Sequence, residues 1–69
     1  MAPIVVHAPD SRGGRQVVAR GRMLGVAYNV MDVLDLLETV GLDRADVRLD
    51  DAGLIDWRGG GAYEWNPSG

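Results

Sequence analysis

The sequence predicts a small α+β domain: an antiparallel meander of about three strands, one amphipathic helix packed on it, and a short C-terminal hairpin or turn. Short β-branched runs separated by turn formers fill the first 28 positions. Residues 29–42 carry helical apolar spacing with a start and a stop signal. A length of 69 residues with 46% apolar content supports one core and excludes a two-domain enzyme.

Ile4-Val5-Val6 and Val17-Val18-Ala19 are the first two extended runs, and Pro9-Asp10-Ser11-Arg12-Gly13-Gly14 between them is dense in turn formers. A second reversal is expected at Arg20-Gly21, where glycine accepts the positive φ of a two-residue turn. Met23 to Tyr28 then runs back as a third strand. Gly25 within it marks a bulge or a close backbone approach.

Asn29 is a good N-cap, and Asp32 sits where its carboxylate meets free N–H groups and the positive end of the helix dipole. Gly41 suits the left-handed position after a helix, with Leu42 folding back on the last turn. At 100° per residue, Val30, Met31, Val33, Leu34, Leu36, Leu37 and Val40 cover an arc of roughly 220°, wider than an ordinary surface helix shows. The flanks at Met31 and Leu36 therefore need a second cover, either the C-terminal segment or another chain. Beyond Leu42, residues 47–57 fit strand, turn and strand, and one helical turn over residues 43–47 capped by Asp43 fits equally. The domain is expected to span residues 1–65, with a flexible tail at residues 66–69.

At this size one core contributes about 3–5 kcal/mol unless something staples it. Cysteine is absent and His7 is the single histidine, which removes disulfides and thiolate metal sites and leaves association as the staple. No apolar stretch is long enough for a membrane span, and Met1 to His7 lacks the features of a secretory signal. The expectation is a soluble, cytoplasmic protein beginning at residue 1. Arginine without lysine, amid abundant Ala, Gly, Val and Asp, reflects GC-rich codons and suggests a high-GC bacterium.

The net charge is −3, unevenly spread. Arg12, Arg15, Arg20 and Arg22 face only Asp10 in residues 1–31, for a net +3; residues 32–69 hold three arginines against nine acids, a net −6. In a compact fold the halves are expected mainly to neutralise each other.

Catalytic chemistry finds no support: the only hydroxyl near His7 in sequence is Ser11, without an oxyanion-hole element. His7 and Asp10 have a spacing that two ligands of a metal could share, but such pairs are common by chance. A calcium loop starting at Asp50 would need oxygen ligands where Ala52 and Leu54 stand, so Asp46, Asp50, Asp51 and Asp56 read as caps and turn formers. Gly59-Gly60-Gly61 matches no phosphate-binding loop. No catalytic residue, metal or cofactor is expected.

Three of the four aromatics, Trp57, Tyr63 and Trp65, cluster around this glycine run and Arg58, a composition favoured at contact surfaces. Against that stands a packing role, in which Trp57 and Trp65 cover the wide helix face. The leading expectation is a non-enzymatic interaction module, a homodimer or the accessory of another protein, in contact through Met31, Leu36, Trp57, Arg58, Tyr63 and Trp65. One alternative is a nucleic-acid regulator whose Arg12, Arg15, Arg20 and Arg22 line one edge, disfavoured by the acidic second half. The other is a small-ligand or metal-binding protein with a concave site between the glycine run and the two tryptophans.

Overall fold

The computed structural model describes residues 2–65, and the tail at 66–69 lies outside them. Strands β1 (Ile4–Val6), β2 (Arg15–Ala19) and β3 (Arg22–Ala27) form the expected meander, followed by helix α1 (Val30–Glu38) and strand β4 (Ile55–Trp57). The fold is α+β with a four-stranded mixed sheet in the order β3-β2-β1-β4 and one helix on it.

Each turn forms for a local reason. In the β1–β2 loop, Asp10 Oδ1 accepts from the backbone N–H of Arg12 (2.8 Å) and Gly14 (3.0 Å), and the Asp10 N–H donates to the Gly14 carbonyl. At the β2–β3 reversal both central residues have positive φ, Arg20 at 52° and Gly21 at 82°, as a tight hairpin between right-twisted strands needs. Val17 opposes Gly25 while Val18 opposes Met23, so Leu24 is the extra residue of a bulge. A Cβ at Gly25 would lie 3.0 Å from Leu36 Cδ2, so strand and helix touch there as closely as glycine allows.

The helix ends behave as their sequence dictates. Asn29 Oδ1 accepts from the Asp32 N–H (2.9 Å), and Asp32 Oδ2 accepts from the Tyr28 N–H (3.0 Å). At the other end Gly41 has φ +90°, the Leu42 N–H reaches the Leu37 carbonyl (3.1 Å), and the Gly41 N–H reaches that of Glu38 (3.1 Å). This is the Schellman closure.

In the C-terminal half the turn, and not the hairpin, of the two expected forms is found, and a fourth strand joins the sheet. β4 pairs parallel to β1, with Ile4, Val5 and Val6 opposite Ile55, Asp56 and Trp57. Parallel pairing needs a long crossover, which residues 28–54 supply with the helix and its following turns. Residues 47–49 form no strand. Asp43 instead caps a single turn, its Oδ1 accepting from the Ala45 N–H and its carbonyl from the Asp46 N–H.

The core comprises Ile4, Val6, Val17, Ala19, Ala27, Val33, Leu37 and Ile55, all buried. Leu42, Val47, Leu49 and Leu54 of the crossover pack against it. The wide helix arc is thus only partly covered from within the chain: Leu36 is half-buried, while Met31 remains 55% exposed. No helix among the described residues is long and apolar enough to cross a membrane.

Candidate functional site

Arg15 opens β2, and strand alternation decides its fate. Side chains at i, i+2 and i+4 share a face, so Arg15 points the same way as the buried Val17 and Ala19. It is fully buried, the only charged residue in the core among the described residues. All five guanidinium N–H donors reach backbone carbonyls: Nε to His7 (2.7 Å), Nη1 to Gly61 (2.7 Å) and Glu64 (2.8 Å), Nη2 to Arg58 and Gly60 (2.9 Å each). The guanidinium carbon also lies 5.3 Å from the ring centroids of both Trp57 and Trp65. The two indoles meet edge to face at 6.4 Å.

This arrangement explains the C-terminal segment. Residues 58–65 carry no strand or helix, so their carbonyls lack ladder partners, and Arg15 supplies them from within. Burial pulls the Arg15 pKa down and the Glu64 charge pulls it back up, and the group stays charged throughout the accessible pH range. Gly59, at φ +75°, passes Ala8 so closely that a Cβ would lie 2.4 Å from the alanine Cβ. Each indole is anchored as well: Trp57 Nε1 donates to the Leu49 carbonyl (2.9 Å) and Trp65 Nε1 to that of Ala62 (2.8 Å).

Two sequence expectations change here. The space between the glycine run and the two tryptophans, considered for an external ligand, is filled by the chain's own Arg15 guanidinium. Arg15 in turn cannot line a nucleic-acid edge, because every donor it has is used internally. The other three arginines do not form one edge either. Arg12 precedes β2 and Arg20 and Arg22 follow it, so about 17 Å of strand separates them.

Of the other residues of the expected contact surface, Trp57, Arg58 and Trp65 stand together at Arg15. Arg58 is exposed and pairs with Asp56 at 3.0 Å, Tyr63 is 82% exposed, and Trp57 and Trp65 are half-buried around Arg15. Met31 lies on the helix, remote from these in the chain. Among the described residues no three of His, Asp or Glu gather as metal ligands would. Asp51 Oδ1, like that of Asp43, accepts a backbone N–H two residues on.

A surface not anticipated from the sequence lies on the sheet face opposite the helix. Cross-strand partners share a face, so the pairs Met23–Val18, Val18–Val5 and Val5–Asp56 form one row across all four strands. Val26, opposite Gln16, lies on the same side, and its side chain and the Tyr28 ring both lie over Gly14. Met23, Val26 and Tyr28 are 51%, 40% and 53% exposed. His7, Arg20 and Arg58 border the hollow over Val5 and Val18. Strand alternation carried the signal, but only the bulge at Leu24 brings Met23 and Val26, three apart, onto one face.

No family model, curated protein or solved structure matches the chain. The fold and these surfaces therefore define its class only as a small α+β protein with one sheet face uncovered.

Proposed function

We propose that the chain is a small non-enzymatic docking module that self-associates through the sheet face opposite the helix. The observation that carries this reading is the apolar patch of exposed Met23, Val26 and Tyr28, continued across the sheet by the half-buried Val18 and Val5, in a chain of 69 residues. Two physical arguments favour a second copy as the occupant. The face holds both charge signs in Arg58 and Asp56, paired within one copy, so a twofold contact can also set each against its opposite in the other. A domain this small also gains stability from any partner that binds only its folded form.

Light scattering over a micromolar concentration series tests this. The expected mass rises towards twice the 7.4 kDa of one chain. Met23→Glu returns it to a single chain with unchanged circular dichroism, whereas Met31→Glu on the helix does not. A wild-type mass that stays at one chain, or an association indifferent to Met23→Glu, refutes the reading.

A further inference from the structure

A cleft of about 350 Å³ opens at the end of the sheet where the β2–β3 turn meets the segment after the helix. Its apolar lining comes from Pro3, Ile4 and Ala19 on one side of the chain's path and from Val40, Leu42 and Leu54 on the other. Among the described residues, Arg20 and Arg22 are the charged residues that line it. Neither is in an ion pair among the described residues, although the chain as a whole is acidic.

We infer that this cleft binds an aliphatic carboxylate, a free medium-chain fatty acid, with its tail on the apolar lining and its head between the Arg20 and Arg22 guanidiniums. The volume lies at the lower end of small-ligand sites, and apolar walls with a few polar groups at one point are their usual character. The backbone around the cleft argues against a peptide. The N–H groups of Ile4, Arg20, Val40, Leu42 and Leu54 donate to the carbonyls of Leu54, Pro3, Leu37, Leu37 and Asp51, so an incoming main chain finds these donors already used. An alkyl chain needs none of them. The two guanidiniums are the free polar donors of the site, and a carboxylate accepts from both. They also offset the partial negative charge of the helix C-terminus, whose carbonyls the Schellman bonds already occupy.

The test is a titration of the ¹⁵N-labelled chain with decanoate below its micelle concentration, with decanol and decylammonium as controls. Saturable shifts are expected at the amides of Ala19, Arg20, Val40 and Leu42. Decanoate should bind at least about tenfold more tightly than decanol, as expected for charge-assisted hydrogen bonds. Arg20→Gln with Arg22→Gln should remove that preference, and Arg22→Gln alone should reduce it if the double variant folds poorly. Equal affinity for decanol and decanoate overturns the proposal, as does the absence of saturable shifts at these amides. Shifts centred on Val5, Val18 and Met23 overturn it too. Repeating the titration with Met23→Glu keeps the result separate from self-association, because the cleft does not include Met23.

Discussion

Arg15 has five N–H donors and meets five carbonyls, a match that no other side chain offers. Lysine keeps the charge but has three donors on one nitrogen, so at least two of the five carbonyls lose the Arg15 donor, and among the described residues only that of Gly61 keeps another, the Glu64 N–H. At least one of these carbonyls is then left unsatisfied, at a cost of about 1–3 kcal/mol, so Arg15→Lys should lose at least that much stability. Urea unfolding followed by tryptophan fluorescence measures this, since both indoles sit on the guanidinium. Amide exchange at residues 58–65 should accelerate more than at β1–β3. A change within about 0.5 kcal/mol would show that the segment holds without Arg15. Arginine reads from composition as a surface residue; the alternation Arg15, Val17, Ala19 was the available signal that this one turns inward. What the alternation could not show is the source of the carbonyls, which lie more than 40 positions away in four of five cases.

The helix is secured at its C-terminal end by a residue outside it. Arg44 pairs with Glu38 at 3.0 Å and also with Asp35, reaching back along the acidic side of the last turns. The hydrogen bond from Arg44 holds the Glu38 carboxyl below its ordinary value near 4.5, and the Arg44 pKa is raised in turn. The sign follows directly. A carboxyl whose pKa is depressed by folding stabilises the native state above its unfolded pKa, and that contribution disappears as the pH falls through the folded value. Melting temperatures measured from pH 6 to pH 2.5 should therefore decline less steeply below about pH 4.5 in Arg44→Gln than in the wild type. Parallel declines would mean that the pair adds nothing, as many exposed pairs do. The helix and its caps were legible in the sequence because Asn29, Asp32, Gly41 and Leu42 act within one or two turns. The strand at Ile55–Trp57 was legible as extended, but its partner was not: three alternating residues look the same in a hairpin and in a parallel pair.

At the scale of the whole molecule, charge and apolar surface point the same way. The basic strands and the acidic helix and crossover share one compact body, yet each copy keeps a net charge of −3. Two copies therefore repel at long range while the Met23 row attracts at contact. Raising salt from about 0.05 to 0.5 M screens the repulsion, so self-association should strengthen slightly or hold steady. Sedimentation equilibrium across that range checks it. A steep loss of association with salt would instead indicate a contact made mainly by ion pairs, and the apolar face would not be its basis.

The sequence alone determined what depends on near neighbours: the α+β class, the loop and the tight turn that reverse the chain between the first three strands, the helix with both its caps, and the excess of apolar surface on that helix. Turn chemistry and capping are settled within a few residues, so the order of residue types suffices to read them. The tertiary structure decided what depends on pairing across the chain. It set β4 beside β1, drew residues 58–65 over Arg15, and left the Met23, Val18 and Val5 row uncovered. Strand pairing and the burial of a cation depend on which distant groups arrive to meet them, and local residue order does not encode that meeting.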